Sequence, residues 1–347
     1  MLQKINLLDL FSGIGGFHKG LEQAGFEIGW NGFSDIDKYA NAVYQYNYPE
    51  AINLGSITTI RHKELPQIDC ITFGSPCQDF SVAGKRSGMQ GDRSSLITEA
   101  IRLIATLRPR FFIWENVKGT FSSNDGADFW AIIQAFTNIG GYRLEWQLLN
   151  TRWFLPQNRE RIYLVGYIGE GSGSKVFPIG KIKNEDNRNN QLKEITKNMP
   201  MGYRVYDVSG MSTTLRAVGG GVGAKTGLYQ VETLDRKQDS YDFNSRVYSD
   251  KGIAKTLAGD GGNNDNKTGL YVNNSEIRRL TPVECCRLQG FPDDWNEKGI
   301  IDGDAVKISD TQRYKQCGNA VTVDVVQAVA ERIYAQETKP KNISTKP

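Results

Sequence analysis

Short apolar runs alternate with amphipathic stretches in the first half of the chain. Six of these runs have the length and composition of buried β-strands: 5–11, 27–33, 68–74, 110–117, 143–151 and 161–168. Between them lie stretches with apolar residues three and four positions apart, such as 93–107, which is typical of helices that cover a sheet. This alternation predicts an α/β fold with a mostly parallel sheet and helices on both faces. Ligands of such sheets bind beyond the carboxyl ends of the strands.

The pattern changes after Ile168. Residues 169–175 (GEGSGSK) have the composition of a linker, and residues 183–275 are polar, rich in glycine and without long helical patterns. This region predicts a second, smaller domain of short strands and loops. The polar tail, 337–347, is expected to be disordered.

Two helices are predicted near the carboxyl end of the chain. The first begins after Thr281 as N-cap, with Pro282 in the first turn and Glu284 completing a capping box, and it ends at Gly290. The second covers 321–335 and has valine and isoleucine residues along one face.

The second domain contains an internal repeat. Residues 204–229 align without gaps with residues 246–271, and 13 of the 26 positions are identical. Two interpretations remain open on these residues alone. The paired units complete each other's core, or their Arg, Tyr, Thr and Lys side chains and Gly backbone form a surface that contacts phosphates and base edges.

Composition narrows the class of protein. The chain has 347 residues, of which 39% are hydrophobic and 23% are charged, and this suits one large or two modest globular domains. No run has the length of a membrane span, and the first residues lack the layout of a signal peptide, so we expect a cytoplasmic protein. Five cysteines without a CxxC pair indicate a reducing compartment and no zinc site. The net charge of +3 is compatible with a nucleic-acid partner without requiring one.

A glycine-rich turn, 11–16, follows the first predicted strand and opens a helix. Glycines there allow the backbone to approach a ligand closely. His18 stands where the dinucleotide fingerprint has its third glycine. At the end of the next strand, Asp35 is placed to accept hydrogen bonds from ribose hydroxyls, unless Asp35 or Asp37 caps the following helix instead. The turn therefore predicts an adenosine-bearing cofactor, with a nicotinamide dinucleotide and S-adenosylmethionine both open.

Three further side chains suggest chemistry. Cys77 follows a proline at the exit of a strand, although most single cysteines only fill space. Glu115 ends an apolar strand, where a carboxylate is costly unless it is paired or used. Arg159 and Arg161 are two residues apart in an extended segment, so both can face one polar site.

These residue types share one chemical interpretation. Carbon 5 of cytosine becomes nucleophilic enough to attack a methyl sulfonium when a thiolate adds to carbon 6 and an acid delivers a proton toward ring nitrogen 3. That reaction requires a nucleophilic cysteine, a protonated carboxylic acid and a cationic donor on the 2-oxo group.

Six motifs then follow in a fixed order: DLFSGIGG (9–16), PCQ (76–78), ENV (115–117), QNRER (157–161), RRLTPVECCRLQGFP (278–292) and QCGNAV (316–321). On these motifs the chain resembles the DNA (cytosine-5) methyltransferases of bacterial restriction–modification systems. The resemblance implies a Rossmann-like S-adenosylmethionine-dependent methyltransferase sheet, comprising 1–168 and about 312–336, and a recognition domain, 169–311. It also implies S-adenosylmethionine as cofactor, double-stranded DNA as partner, a flipped-out base and a monomer that either accompanies a separate restriction nuclease or acts as an orphan.

The resemblance also implies roles for individual residues. Cys77 would be the nucleophile, Glu115 would hold ring nitrogen 3 and the exocyclic amine, Arg161 would bind the 2-oxo group, and Arg159 would support Glu115 and the DNA backbone. The implied cofactor residues are Phe11, Gly13, Ile14, Gly15, Gly16, Asp35, Ile36, Ser56, Ile57, Pro76, Asn319 and Ala320. The implied DNA-binding residues are Ser81, Lys85, Arg86, Arg93, Arg204, Thr214, Arg216, Gly220, Arg246 and Thr256.

The chain departs from the family pattern at Ser56 and Ile57, where an aspartate usually meets the adenine amine. Two alternatives stay open at this point: a transfer-RNA cytosine-5 methyltransferase of the same fold, and a non-catalytic DNA-binding regulator. The target sequence is not encoded in any recognisable motif.

Overall fold

The computed structural model describes residues 4–75, 96–168, 175–180 and 281–338, together with five short strands between residues 205 and 279. Contacts divide the chain into two compact units. The first comprises Met1–Leu149, Arg161–Gly180 and Val325–Pro347, and the second comprises Asn150–Glu160 and Lys181–Asp324. The domain boundaries expected from the sequence stay predictions.

The first unit is built on a seven-stranded sheet. Its strands are β1 (Ile5–Leu10), β2 (Ile28–Ser34), β3 (Ile52–Asn53), β4 (Cys70–Gly74), β5 (Phe111–Val117), β6 (Tyr142–Asn150) and β7 (Glu160–Ile168), in the order β3-β2-β1-β4-β5-β7-β6. The neighbouring strands from β3 to β5 pair in parallel, and β7 pairs antiparallel to β5. The expectation of an α/β fold with a mostly parallel sheet is confirmed.

Seven α-helices are described, namely α1 (Gly16–Gln23), α2 (Lys38–Asn47), α3 (Leu96–Leu107), α4 (Ala127–Asn138), α5 (Pro282–Leu288), α6 (Asp310–Asn319) and α7 (Val323–Glu337). One core cluster, the β1–α3–α4 cluster, contains Leu8 and Leu10 of β1 with apolar residues of α3 and α4 packed on the same face. Because successive side chains of a strand alternate between faces, Asp9 points away from this cluster. None of the helices in these ranges is long and apolar enough to cross a membrane.

The predicted start and end of α5 are confirmed. The Thr281 hydroxyl accepts a hydrogen bond from the Glu284 backbone N–H (3.3 Å), and the Glu284 carboxylate accepts one from the Thr281 N–H (2.7 Å). Gly290 has φ +79°, and a Cβ there would lie 2.0 Å from the Asp324 carboxylate, so only glycine fits this helix end.

The internal repeat is also a repeat of backbone structure. In the first copy, β8 (Val205–Asp207) pairs in parallel with β9 (Leu228–Gln230), and in the second, β10 (Val247–Ser249) pairs in parallel with β11 (Leu270–Asn273). The two pairs start from equivalent positions of the aligned copies. A further strand, β12 (Glu276–Arg279), runs antiparallel to β11.

Two differences from the sequence expectations concern the carboxyl-terminal third of the chain. The hairpin of β13 (Lys298–Ile301) and β14 (Asp304–Lys307) was not predicted, because its strands are short and polar. Helix α7 extends to Glu337, the first residue of the expected disordered tail, because the carboxylate of Glu337 accepts hydrogen bonds from Arg110 and Tyr167. Residues 339–347 of that tail lie outside the described residues.

Candidate active site

The glycine-rich turn joins β1 to α1 in a conformation that needs glycine. Gly13 has φ +54° and Gly15 has φ +87°, both in the left-handed region. The Gly13 N–H donates to Asp35 Oδ2 (2.9 Å), and the Ser12 N–H donates to the Ser34 carbonyl (3.2 Å). The turn is therefore tied to the end of β2, as expected for a ligand-binding turn beyond the carboxyl ends of parallel strands.

Asp35 and Asp37 have different roles. Asp37 is the N-cap of α2, since its carboxylate accepts hydrogen bonds from the N–H groups of Tyr39 (2.9 Å) and Ala40 (3.2 Å). Asp35 accepts from Gly13 and also from the Asp37 N–H (2.9 Å). Burial raises the pKa of Asp35, and the backbone N–H donors oppose that shift. Asp35 therefore stabilises the turn, and it also lies at the position expected for a ribose contact.

The surroundings of the turn fit an adenosine-bearing group. A Cβ placed on Gly13 would meet no atom within 4 Å, so space is open beside the backbone. Ile36, directly after Asp35, is a large apolar side chain that is 85% exposed. The buried Ser12 hydroxyl makes no hydrogen bond within the described part of the chain. An open backbone cradle, an exposed apolar face and an unsatisfied hydroxyl are features that a bound nucleoside would use.

The other expected cofactor residues are placed in various environments. Ile14 and Ile57 are buried, and Ile57 packs in the β1–α3–α4 cluster. Ser56 caps a short 3₁₀ turn by accepting a hydrogen bond from the Thr58 N–H. Asn319 is exposed at the end of α6 in the second unit, and Ala320 is buried there. Their contacts with a cofactor stay predictions.

Glu115 and Arg161 form a buried ion pair. Glu115 lies near the carboxyl end of β5, and Arg161 lies at the start of the antiparallel neighbour β7. The distance from Arg161 Nε to Glu115 Oε1 is 3.1 Å, and the side chains are only 7% and 10% exposed. No donor in the described ranges is aligned to hydrogen-bond with Oε1, so Glu115 retains an acceptor for a ligand. Gly74 of β4 leaves room for this carboxylate, because a Cβ there would lie 3.2 Å from Oε2.

Ser75 anchors the chain just before the segment that contains Cys77. The Trp114 indole N–H donates to Ser75 Oγ (3.0 Å), and the Asn116 amide donates to both the carbonyl and the hydroxyl of Ser75 (3.1 Å each). The Asn116 oxygen in turn accepts from the Val117 N–H (2.7 Å). Sequence reasoning missed Asn116 and Ser75 as site residues. The signal was available, because Asn116 is the middle residue of the ENV motif.

Arg159 organises the backbone around Asn319, within the second unit. Its guanidinium is buried and donates to the carbonyls of Gly318 (3.2 Å) and Ala320 (2.9 Å). The Gln289 amide donates to the carbonyl of Cys317 (2.7 Å). The backbone around Asn319 is thus held through its carbonyl groups. The expected support of Glu115 by Arg159 stays a prediction.

The remaining expected site residues lie outside the described residues. They are Pro76, Cys77, Ser81, Lys85, Arg86, Arg93, Arg204, Thr214, Arg216, Gly220, Arg246 and Thr256. Among the residues that are described, no three His, Cys, Asp or Glu side chains come together as a metal ion would require.

Three features place this protein in the class of Rossmann-like methyltransferases. They are the sheet order with its antiparallel strand β7, the glycine-rich turn, and the buried pair of Glu115 and Arg161. The crystal structure of Dnmt2 methyltransferase from S. pombe has the same fold, with a TM-score of 0.65, 18% identity and coverage of 97% of this chain and 100% of that one.

The chain belongs to the C-5 cytosine-specific DNA methylase family, whose model matches residues 5–335. Type II methyltransferase M.HhaI of Haemophilus parahaemolyticus is 31% identical, over 96% of this chain and 95% of the relative. Orphan methyltransferase M.SPRI of Bacillus phage SPR is 28% identical, over 95% and 97%. The protein is therefore a DNA (cytosine-5) methyltransferase, and the resemblance carried by the six motifs is confirmed.

Proposed function

We propose that this enzyme transfers a methyl group from S-adenosylmethionine to carbon 5 of a cytosine within a short, specific sequence of double-stranded DNA. The observation that carries the proposal is the buried Glu115–Arg161 pair, which stands beside the anchored Ser75 at the carboxyl ends of β4 and β5. A carboxyl group with a remaining acceptor and a guanidinium are complementary to the N3, amino and 2-oxo edge of cytosine.

Each residue has a defined role in the proposed reaction. The carboxylate of Glu115 takes up a proton from solvent when the flipped base binds. The Cys77 thiolate then forms a bond to carbon 6 while Glu115 passes that proton to ring nitrogen 3, and Arg161 stabilises the charge on the 2-oxo group. Carbon 5 thereby gains the electron density of an enamine. After carbon 5 has been alkylated, it loses its proton to a base, and Cys77 leaves carbon 6 as the ring is restored.

The cofactor would be held by the glycine turn of the first unit. Backbone of residues 11–16, the carboxylate of Asp35 and the exposed side chain of Ile36 are the groups placed to do so. The Ser12 hydroxyl, which has no hydrogen-bond partner among the described residues, adds a donor and an acceptor at the same turn. When bound there, S-adenosylmethionine supplies an electrophilic methyl group.

Specificity would come from the second unit. Because carbon 6 is inaccessible inside a duplex, the target base must be flipped out, at a cost of about a few kcal/mol. The two repeat copies place Arg204 and Arg246 at equivalent sequence positions, directly before β8 and β10. The matching strand pairs support one recognition domain with two similar halves. The enzyme would act either as an orphan or beside a separate restriction nuclease.

The test uses Cys77→Ser with Cys285→Ser as a matched control. The wild type and the control should methylate duplex DNA and form a stable adduct with a duplex containing 5-fluorocytosine, whereas Cys77→Ser should do neither and still bind DNA. Bisulfite sequencing of DNA from expressing cells should reveal one short modified sequence. Normal turnover by Cys77→Ser would contradict the assignment of the nucleophile, and methylation of transfer RNA alone would contradict the DNA substrate.

A further inference from the structure

A cluster of buried polar side chains lies behind the glycine turn, on the face of the sheet opposite the β1–α3–α4 cluster. Asp9 of β1 is 0% exposed. Its Oδ1 accepts a hydrogen bond from the Thr72 hydroxyl of β4 (2.7 Å), and its Oδ2 lies 3.3 Å from the Tyr44 hydroxyl of α2. Asp9 is therefore surrounded by hydroxyl groups, and none of these partners is a cation.

The cluster continues from Tyr44 to α1. The Asn31 amide of β2 donates to the Tyr44 hydroxyl (3.1 Å) and lies 2.8 Å from His18 Nδ1. Tyr44 and His18 are also within hydrogen-bond distance of each other (3.2 Å). The His18 ring stacks on the Tyr48 ring with 3.6 Å between centroids and 6° between planes. Three strands and two helices are thus joined by one network.

The tyrosines of this cluster are in direct contact with the turn. A Cβ on Gly15 would lie 3.0 Å from the Tyr48 ring and 3.3 Å from the Tyr44 ring, so the two rings pack against the turn's backbone. Gly15 also has the left-handed φ that permits this approach. The positions of the two rings are therefore coupled to the position of the Gly15 backbone.

The protonation of the cluster follows from its burial. Burial raises the pKa of Asp9 to about 8, against the effect of the Thr72 and Tyr44 hydrogen bonds, and the negative charge of Asp35 adds to the shift. Among the described residues, Tyr48 and Cys70 of β4 also interact electrostatically with Asp9, and burial raises the pKa of both groups. Burial lowers the pKa of His18, which Glu22 opposes and Lys19 reinforces. A neutral His18 accepts the Asn31 N–H at Nδ1 and directs its Nε2 proton toward Glu22, 3.5 Å away.

Protonation of Asp9 sets the direction of the Tyr44 hydrogen bond. A neutral Asp9 can donate its proton to the Tyr44 oxygen, which leaves the Tyr44 proton for Asn31 Oδ1 (3.4 Å). An ionised Asp9 accepts only, so Tyr44 must turn its proton back toward β1 and give up that bond.

We propose that Asp9, Tyr44 and His18 are positioning residues for the cofactor, and that Asp9 acts as a neutral acid which orients Tyr44 and so holds the glycine turn in its binding conformation. This inference rests on the proposed cofactor site at the turn. It predicts that cofactor affinity falls when Asp9 ionises, because the cluster then holds a buried charge without a cation and loses one of its hydrogen bonds.

The test is isothermal titration of S-adenosylmethionine into the full-length enzyme between pH 6.5 and 9.5. Tyr44→Phe should weaken binding about tenfold at pH 7, the equivalent of one hydrogen bond, while the affinity for DNA and the saturated turnover rate stay unchanged. Tyr142→Phe is the matched control, because its hydroxyl donates to the Pro109 carbonyl (2.8 Å) and has no part in the cluster. It should bind the cofactor like the wild type.

The variant Asp9→Asn tests whether Asp9 acts as a neutral acid or as a carboxylate. Its amide can accept from Thr72 and donate to Tyr44, as the neutral acid does. We expect Asp9→Asn to keep the wild-type affinity at pH 7 and to lose the decrease in affinity that the wild type shows above pH 8. A large loss of affinity at pH 7, or an unchanged pH profile, would overturn the inference.

The variant Asp35→Ala distinguishes failure of the proposed cofactor site from failure of the positioning role of Asp9, Tyr44 and His18. Weak cofactor binding by Asp35→Ala together with normal binding by Tyr44→Phe would leave the cofactor site in place and reject the positioning role. Normal binding by Asp35→Ala would reject the cofactor site itself. Thermal unfolding of each variant, which should stay cooperative, establishes that the titrations report on folded enzyme.

Discussion

Two carboxyl groups, those of Glu115 and Asp9, are buried in the same sheet but have different kinds of partner. Glu115 near the end of β5 lies 3.1 Å from a guanidinium nitrogen of Arg161. Among the described residues, the hydrogen-bond partners of Asp9 near the end of β1 are the hydroxyl groups of Thr72 and Tyr44, and its pKa is raised to about 8. A buried carboxylate must be paired with a cation or become neutral. The sheet uses the first solution at the proposed reaction centre and the second behind the cofactor turn.

The position of each strand explains the difference. β5 is followed in the sheet by β7, which runs antiparallel and brings the start of its own strand, with Arg161, to the end of β5. β1 lies between two parallel strands, so its neighbours near the same end are the short hydroxyl side chain of Thr72 and residues of the helices above. A single reversed strand therefore allows a cation at one site and not at the other.

Removing the cation should have the largest effect. Arg161→Ala leaves Glu115 buried without a counterion, and we expect it to lower the free energy of unfolding by about 3–5 kcal/mol and to abolish methyl transfer. Denaturant titration and a methylation assay measure the two effects. Arg102→Ala is the control, because its pair with Glu99 (2.7 Å) is more exposed and should be worth less than about 1 kcal/mol. Equal losses from the two substitutions would show that the Glu115–Arg161 pair is not special.

Glu115→Gln should be the next largest change. Glutamine keeps the shape and some hydrogen bonding but cannot deliver a proton, so the rate of methyl transfer should fall by about 10²–10⁴-fold. Cofactor affinity should stay within the error of the wild type, because the glycine turn is elsewhere in the sheet. Single-turnover kinetics and titration of the cofactor separate these quantities. A collapse of cofactor affinity with normal chemistry would place Glu115 in the wrong site.

Asp9→Asn should change the pH dependence of stability rather than the reaction. The pKa of Asp9 rises from 3.8 to about 8 on folding, so the folded protein holds one more proton than the unfolded chain between these values. The proton on Asp9 therefore contributes to the free energy of unfolding. This contribution is present in full below pH 3.8 and is lost as the pH rises to about 8, at about 1.4 kcal/mol per pH unit.

Asparagine cannot ionise, so Asp9→Asn should gain stability relative to the wild type as the pH rises from 5 to 8. Denaturant titrations at pH 5, 6.5 and 8 test this expectation. Parallel stability curves for the two proteins would mean that Asp9 is ionised in the fold, and the comparison with Glu115 would then fail.

The sequence predicted the local features of this fold well. The six longer strands match within two residues, and the capping box of α5 is confirmed, because apolar alternation and caps are local signals. The pairing of Glu115 with Arg161 was anticipated only through the chemistry of a cytosine ring. Periodicity alone would not have joined residues that meet through a reversed strand.

The cluster around Asp9 was out of reach of such reasoning. Asp9 sits within the glycine-turn motif, yet its partners Tyr44 and Thr72 are 35 and 63 positions away, on a helix and on a strand. His18 was noted only as a missing glycine. Long-range contacts of this kind depend on how helices pack on the sheet, which apolar spacing does not specify.

The smallest expected effect comes from Thr72→Val, which tests the difference between the carboxyl groups of Asp9 and Glu115. Valine keeps the β-branched shape on β4 and removes the hydroxyl that donates to Asp9 Oδ1. If Asp9 is a neutral acid, only one hydrogen bond to an uncharged group is lost, so stability at pH 6 should fall by about 1 kcal/mol. The Thr72 hydrogen bond lowers the pKa of Asp9. Its removal should therefore extend the pH-dependent fall in the free energy of unfolding to a pH above about 8.

The control is Thr106→Val on α3. Thr106 is exposed, and its hydroxyl donates to the Arg102 carbonyl, so this substitution should leave the pH dependence of stability unchanged. A loss of several kcal/mol at pH 6, the size expected when a buried carboxylate loses its donor, would place a charge on Asp9 and make the two carboxyl groups alike.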